Sequence, residues 1–125
     1  MPENVVSILL VEDNRLISFQ LSNELKKHGY EITTASSGGE AIRATKTSNP
    51  DLILMDVNLN EERDGVEIMQ TIHDENGFIP NIFLTGYSKE ELTSRIKKVS
   101  PMAIIEKPVD STVLQKKIKS LVNDE

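Results

Sequence analysis

The chain has 125 residues, which suits one compact domain built around a single hydrophobic core. Its 20 Asp and Glu residues outnumber its 14 Lys and Arg residues, and the formal charge of −6 argues against direct contact with nucleic acid. The sequence shows no cysteine, no signal-peptide pattern at residues 1–4 and no apolar run near the ~20 residues of a membrane span, so we expect a cytoplasmic protein without disulfides or membrane contact.

Short apolar runs alternate along the chain with amphipathic stretches. The runs occupy residues 5–11, 31–35, 51–55, 81–84 and 102–105, and each has the length of a buried β-strand. Between them, apolar residues recur at the spacing of a helix face, as in Leu16, Ile17, Leu21 and Leu25, then Leu92, Ile96 and Val99, and then Val113, Leu114, Ile118, Leu121 and Val122. The candidate N-terminal caps of these helices are Ser37 with Glu40, Asp64, Ser88 with Glu91, and Asp110. Gly29 is placed to end the first helix.

Five strands alternating with five helices predict an α/β domain over residues 1–125, with a parallel sheet covered by helices on both faces. Right-handed crossovers leave few topologies, and the flavodoxin-like (βα)5 strand order 2-1-3-4-5 suits this pattern best. In that order strands 1 and 3 lie side by side at the switch point, where open α/β sheets bind ligands.

Three acidic residues come at the ends of those two strands. Glu12 and Asp13 follow the first run, and Asp56 follows the third. Three carboxylates gathered at one edge of a sheet repel one another, and a bound Mg²⁺ resolves that repulsion. The main-chain carbonyl of Asn58 can complete the coordination. The ordinary alternative is that the acidic pair caps the next helix and that Asp56 starts a turn.

Thr85 and Lys107 come at the ends of two later runs and face the same crevice in the predicted sheet. Together with Asp56 they predict a site that handles a phosphoryl group. A carboxylate attacks phosphorus without a general base, and a hydroxyl and an ammonium stabilise phosphoryl oxygens. Taken singly, each residue has an ordinary alternative interpretation. Thr85 can mark a plain strand-to-loop transition, and Lys107 can be a solvated side chain in a turn. Their order at successive strand ends favours the joint site.

With these residues in place, the chain resembles the receiver domains of bacterial response regulators over essentially its whole length. The matching segments are residues 8–14, residues 55–59, and the pairs Asp64-Gly65, Thr85-Gly86 and Lys107-Pro108. The resemblance implies that Asp56 accepts a phosphoryl group from a histidine kinase or phosphotransfer protein of a two-component system, with Mg²⁺ held beside it. It further implies a downstream protein target that binds helix 4, strand 5 and helix 5. Homodimers that form on phosphorylation are common in the family.

Two positions depart from the usual receiver pattern. The loop after Asp56 lacks the frequent proline after Leu59 and has one extra residue. The strand-5 position three residues before Lys107 usually holds an aromatic side chain that follows the motion of the threonine, and here it is Ile104. Since Ile104 has no ring to rotate, we expect activation to change the loop at Gly86 rather than strand 5.

Two other interpretations remain open from the sequence. The domain can be a module of a hybrid histidine kinase or of a longer response regulator. A haloacid-dehalogenase-type phosphatase also uses an aspartate nucleophile and Mg²⁺, but it needs a second aspartate two residues later. Here Arg15 follows Asp13 at that spacing, and Asn58 follows Asp56. We therefore expect a phosphoacceptor signalling domain rather than an enzyme acting on other substrates.

Overall fold

A computed structural model describes residues 5–97 and 99–122 of the chain. Residues 1–4, on which the expectation about a signal peptide rests, lie outside this part. Within it, no helix combines the length and the apolar character that crossing a bilayer requires. In chain order the elements are β1 (Ser7–Val11), α1 (Arg15–Lys27), β2 (Glu31–Ala35), α2 (Gly38–Ser48), β3 (Leu52–Asp56), α3 (Gly65–Asn76), β4 (Asn81–Thr85), α4 (Lys89–Leu92), β5 (Ala103–Glu106) and α5 (Ser111–Val122).

The five strands form one parallel sheet in the order β2-β1-β3-β4-β5, which confirms the predicted topology. At the carboxyl end of β1, Val11 pairs with Ala35 on one side and with Met55 on the other. Thr85 of β4 pairs with Glu106 of β5. The carboxyl ends of all five strands therefore meet at one edge of the sheet, and the residues that follow them are brought together there.

The core lies in two layers, one on each face of the sheet. Alternate residues of β1 show the division, since Leu9 and Val11 pack on one face while Ile8 and Leu10 pack on the other. The first face is covered by α2 and α3 and by Leu92 of α4, and the second by α1 and α5. Strands β3 and β4 are buried along their whole length, as expected for central strands of a two-sided parallel sheet. This packing supplies the rigid frame on which the site is built.

Most of the predicted helix ends are confirmed. Asp64 caps α3 and Ser88 caps α4, each in a reciprocal capping box. Asp110 accepts hydrogen bonds from the first turn of α5, and Gly29 follows α1 with φ +90. Ser37 caps α2 by accepting a hydrogen bond from the amide of Glu40. The predicted capping box is wrong, however, because the Glu40 side chain accepts from the amide of Ser36 and not from that of Ser37.

The fourth helix is shorter than predicted. The spacing of Leu92, Ile96 and Val99 predicted one continuous helical face, whereas α4 ends at Leu92 and turns follow over residues 93–97. Leu92 and Val99 are nonetheless buried and Ile96 packs against the same core. Thr93 and Ser94 are weak helix formers, and the apolar contacts are satisfied by turns as well as by a helix.

Candidate functional site

The three acidic residues singled out in the sequence converge at the carboxyl edge of the sheet. Glu12 and Asp13 follow β1, and Asp56 is the last residue of β3, its neighbour in the sheet. One carboxylate oxygen from each of the three lies within 4.8 Å of the other two. Asn14, and not the acidic pair, caps α1 by accepting from the amide of Ile17. Glu12 and Asp13 are therefore not used as helix caps.

Main-chain amides hold each carboxylate of this acidic cluster. Asn14 N donates to Glu12 Oε2 at 3.0 Å, and Asn60 N donates to Asp13 Oδ2 at 2.8 Å. Asn58 N donates to Asp56 Oδ1 at 2.9 Å, the bond of an Asx turn. Hydrogen bonds from amides to carboxylates are charge-assisted, so they hold the three acidic side chains in place despite their mutual repulsion.

Lys107 reaches the acidic cluster from the end of β5. Its Nζ donates to Asp56 Oδ1 at 2.8 Å, and the Asp56 side chain is only 1% exposed whereas that of Lys107 is 29% exposed. Its own amide donates to the carbonyl of Thr85 at 2.7 Å, which holds the end of β5 beside β4. The peptide bond between Lys107 and Pro108 is cis. The solvated-turn alternative for Lys107 is therefore wrong, since this ammonium pairs with the central carboxylate.

Thr85 ends β4 at the same edge and is fully buried. Its Oγ1 accepts a hydrogen bond from Tyr87 N at 2.8 Å, which forms a tight turn into the following loop. A hydroxyl that accepts one bond keeps its own hydrogen for donation. Thr85 thus sits at the strand end predicted for it and retains a hydrogen that it can donate.

The side chain of Asn58 has a contact that the sequence did not suggest. Only its main-chain carbonyl was expected to matter, as a metal ligand. In the structure its Oδ1 also accepts from Gly86 N at 2.7 Å, so it joins the loop after β3 to the loop after β4. No sequence spacing signals this bond, because it depends on how two loops approach each other.

The structure also shows why position 65 is a glycine, which the sequence alone does not explain. A Cβ atom at this position would lie 2.3 Å from the carbonyl oxygen of Asp56 and 2.8 Å from Cα of Val57. The Gly65 amide donates to the carbonyl of Val57 at 3.0 Å. The start of α3 therefore packs directly against the main chain that carries Asp56, and only glycine permits that approach.

The acidic cluster has the chemistry of a divalent cation site. Glu12 is 3% exposed, and its Oε1 is buried without a hydrogen-bond partner among the described residues. Burial raises the pKa of Glu12 to about 7; the amide of Asn14 opposes this shift and the charge of Asp56 adds to it. A cation would supply the missing partner and would favour the ionised form of Glu12. Carboxylate oxygens with a main-chain carbonyl are the ligands that Mg²⁺ prefers, so these residues fit that ion.

Comparison with known proteins places this site in a family. Residues 8–119 match the response regulator receiver domain. The chain belongs to this family. The match covers the sheet from Ile8 onward and includes the acidic cluster, Thr85 and Lys107. Receiver domains are the signalling modules of two-component systems, and the family match supports this interpretation over that of a haloacid-dehalogenase-type phosphatase.

The proteins that the chain resembles differ in overall length. The chain is 32% identical over 120 residues to the polar-differentiation response regulator DivK of Brucella ovis, a match that covers 94% of this chain and 97% of DivK. It is 34% identical over 102 residues to the transcriptional regulatory protein PdtaR of Mycobacterium tuberculosis, a match that covers 81% of this chain and 49% of PdtaR. The matched segment therefore spans about half the length of PdtaR.

Solved receiver structures share the fold. A receiver domain protein of Methanospirillum hungatei JF-1, described as CheY-like, superposes with a TM-score of 0.88 at 27% identity. That superposition covers 97% of this chain and 96% of the other. The N-terminal domain of a response regulator/sensory box/GGDEF three-domain protein from Carboxydothermus hydrogenoformans superposes with a TM-score of 0.83 at 30% identity, covering 94% of this chain and 94% of the other. The flavodoxin-like receiver fold predicted from the sequence is thus confirmed.

Proposed function

We propose that Asp56 of this receiver accepts a phosphoryl group from a phosphohistidine, carried by a histidine kinase or a phosphotransfer protein, in a reaction that requires Mg²⁺. The observation that carries the proposal is that Asp56 belongs to the acidic cluster and also pairs with the ammonium of Lys107. The cluster suits a divalent cation, and Lys107 Nζ lies 2.8 Å from Asp56 Oδ1. The amide of Asn58 and the ammonium of Lys107 orient this carboxylate, as an attack on phosphorus requires.

The proposed step is a displacement at phosphorus. An oxygen of Asp56 bonds to phosphorus as the P–N bond of the phosphohistidine breaks, and the histidine nitrogen keeps the electron pair of that bond. The product on Asp56 is an acyl phosphate. Glu12, Asp13, Asp56 and the carbonyl of Asn58 would hold a bound Mg²⁺, which would supply positive charge to the phosphoryl oxygens.

Lys107 and Thr85 have roles after transfer in this proposal. Formation of the acyl phosphate removes the charge of the Asp56 carboxylate, so the ammonium of Lys107 loses its anionic acceptor and pairs with a phosphoryl oxygen instead. Thr85 donates its hydroxyl hydrogen to another phosphoryl oxygen, which draws the loop at Gly86 toward the site. Asp56 carries the nucleophile, and these two residues stabilise its product.

The proposed output surface consists of α4, β5 and α5. Strand β5 is at the edge of the sheet, and Leu92 of α4 and Leu114 of α5 are buried in the core layers on its two faces. A downstream protein would bind this surface with an affinity that depends on the state of Asp56. The donor, the downstream protein and a second copy of the chain bound on phosphorylation are proposals that follow from the family to which the chain belongs.

The direct test is phosphorylation by a small-molecule donor. We expect the chain to gain the mass of one phosphoryl group after incubation with acetyl phosphate or phosphoramidate and Mg²⁺, as measured by intact-mass spectrometry. Asp56→Asn should abolish the gain, because the amide is not a nucleophile toward phosphorus. Asp74→Asn, which changes an exposed acid on α3, is the matched control and should keep it. Full mass gain in Asp56→Asn would refute the assignment.

A further inference from the structure

Residues 57–64, here named the 57–64 loop, connect Asp56 to α3 and hold the acidic cluster from one side. The amide of Asn58 donates to Asp56 Oδ1 at 2.9 Å. The amide of Asn60 donates to Asp13 Oδ2 at 2.8 Å. Two of the three carboxylates are therefore hydrogen-bonded by the main chain of this one loop, so a change of charge at either one acts on the loop directly.

The same loop is bound to the chain on both sides of α4. Before α4, Asn58 Oδ1 accepts from Gly86 N at 2.7 Å. After α4, Asp64 Oδ2 accepts from Arg95 Nη2 at 2.6 Å. Asp64 uses its other oxygen, Oδ1, to cap α3. We name these two contacts the Asn58–Gly86 clamp and the Asp64–Arg95 clamp.

Residues 86–95 form the segment between the two clamps. Helix α4 contains four residues, far fewer than a helix needs to be stable without tertiary support. Leu92 is buried, whereas Tyr87 is 47% exposed. The two contacts with the 57–64 loop are therefore part of the tertiary support of this segment, together with the burial of Leu92.

We propose that the 57–64 loop transmits the state of Asp56 to residues 86–95 through the Asn58–Gly86 and Asp64–Arg95 clamps. The inference rests on the proposed function, because it takes phosphorylation of Asp56 as its input. A phosphorylated Asp56 and an Asp13 facing a cation are weaker acceptors for the amides of Asn58 and Asn60. The loop then relaxes, and the clamps move with it.

Strand β5 is a poor alternative route. Ile104 is partly buried against the core and carries no polar side-chain atom that could respond to charge at Asp56. A ligand shifts a conformational equilibrium only through contacts that differ between the two states. The polar contacts of the 57–64 loop change with the charge of the site, whereas the apolar packing of Ile104 does not. In this chain the loop therefore takes the place of the strand-5 aromatic.

Amide hydrogen exchange, measured with and without Mg²⁺ and beryllofluoride as an acyl-phosphate mimic, tests the relay. In the wild type, loading should change exchange in residues 86–95 by about fivefold or more, the lower end of ordinary allosteric coupling. Residues 103–106 should change little. Asn58→Ala and Arg95→Ala should each reduce the response, and the double variant should reduce it most, leaving only the part that Thr85 exerts directly on the loop at Gly86. Arg63→Ala, an exposed arginine in the same loop, is the matched control and should respond as the wild type.

A rescue variant separates the relay from damage to the fold. Asn58→Asp keeps an acceptor at the same place for the amide of Gly86, so it should keep most of the response that Asn58→Ala loses. Circular dichroism of every variant establishes that the fold is retained. In the unloaded protein, Asn58→Ala should also raise the exchange rate of the Gly86 amide, because that amide loses its acceptor.

Fluorine NMR of bound beryllofluoride measures loading independently of the response. Normal loading together with a wild-type response in the double variant overturns the relay and leaves the proposed function intact. A wild type that does not load refutes the proposed function, and the relay with it. Normal loading with a response that concentrates in residues 103–106 also overturns the relay.

Discussion

Lys107 and Asp56 are 51 residues apart in the chain, and Lys107 Nζ donates to Asp56 Oδ1 at 2.8 Å. The pair joins the end of β5 to the end of β3 across β4, which lies between them in the sheet. Asp56 is almost completely buried among acidic neighbours, so this ammonium is the countercharge that the described residues supply to it. Removing one partner of such a pair leaves an uncompensated buried charge.

The first prediction concerns stability. Lys107→Ala should lower the free energy of unfolding of the metal-free protein by about 1–3 kcal/mol, a value below that of a fully buried pair because Lys107 is partly solvated. Mg²⁺ should restore part of the loss, since it replaces the missing positive charge. Lys46→Ala breaks an exposed pair with Glu75 at 2.7 Å and should change stability by only about 0.5 kcal/mol. Urea unfolding with and without Mg²⁺ provides the measurement, and equal losses in the two variants would contradict the assigned role.

The second prediction concerns geometry at the same position. Lys107→Arg keeps the charge but replaces a compact ammonium with a planar, wider guanidinium. We expect slower phosphorylation by phosphoramidate, or a weaker exchange response in residues 86–95 after loading. Time courses of intact mass and hydrogen exchange measure the two effects. A variant with wild-type values for both would show that Lys107 acts only as a charge.

The third prediction is a pH dependence of Mg²⁺ binding. The pKa of Glu12 is raised to about 7 in the folded protein, so below that value a proton competes with the cation. Affinity for Mg²⁺ should rise by about tenfold between about pH 6 and about pH 8 and level off above that range. Isothermal titration calorimetry gives the affinities. Glu12→Gln should lose most of this dependence, and a wild-type affinity that is equal at the two pH values would disprove it.

The same pKa shift affects the metal-free fold with a definite sign. A carboxyl with a raised pKa binds more protons folded than unfolded between its ordinary value and about 7, so Glu12 makes the metal-free protein less stable as pH rises through that window. Mg²⁺ should reverse this trend by mass action. The melting-temperature shift caused by Mg²⁺ should therefore be larger at about pH 8 than at about pH 6. Asp13→Asn should show a much smaller shift at either pH, because it removes a ligand.

The fourth prediction concerns the close approach of α3 to β3. Gly65→Ala would place a methyl group 2.3 Å from the Asp56 carbonyl oxygen, which is a main-chain atom that cannot move without displacing Asp56. We expect a loss of about 3 kcal/mol or more in stability, the upper range for single substitutions, together with slower phosphorylation.

Gly39→Ala is the matched control for this substitution. Gly39 lies within α2, and a methyl group at this position would have the end of the Arg43 side chain as its nearest neighbour, at 3.6 Å. Alanine should therefore leave stability unchanged or raise it by up to about 1 kcal/mol through its higher helix propensity. Thermal unfolding of the two variants compares them, and similar stability for both would mean that the main chain at Asp56 yields easily.

Much of the site was predictable from the sequence because it depends on strand ends. Glu12, Asp13, Asp56, Thr85 and Lys107 each lie at or just after the end of an apolar run. The carboxyl ends of parallel strands share one edge of the sheet, so the order of the runs alone implies that these side chains meet. The two-sided core was predictable for a similar reason, since a parallel sheet with crossover helices buries both faces.

The features of the site that the sequence did not predict depend on how loops approach one another. The bond from Gly86 to the Asn58 side chain and the ion pair of Asp64 with Arg95 join segments whose conformations no periodicity describes. The shortened α4 was missed because Leu92 and Val99 reach the core through turns as well as through a helix. The crowding of three carboxylates predicted raised pKa values in the acidic cluster, but the larger cause of the raised pKa of Glu12 is burial, which only the assembled fold shows. The sequence by itself thus determined the sheet, its order and which side chains meet at its carboxyl edge, through apolar periodicity and strand polarity. The tertiary structure decided which main-chain donors hold those side chains and which loops are hydrogen-bonded to one another, because hydrogen bonds between loops form only once the core has brought their ends together.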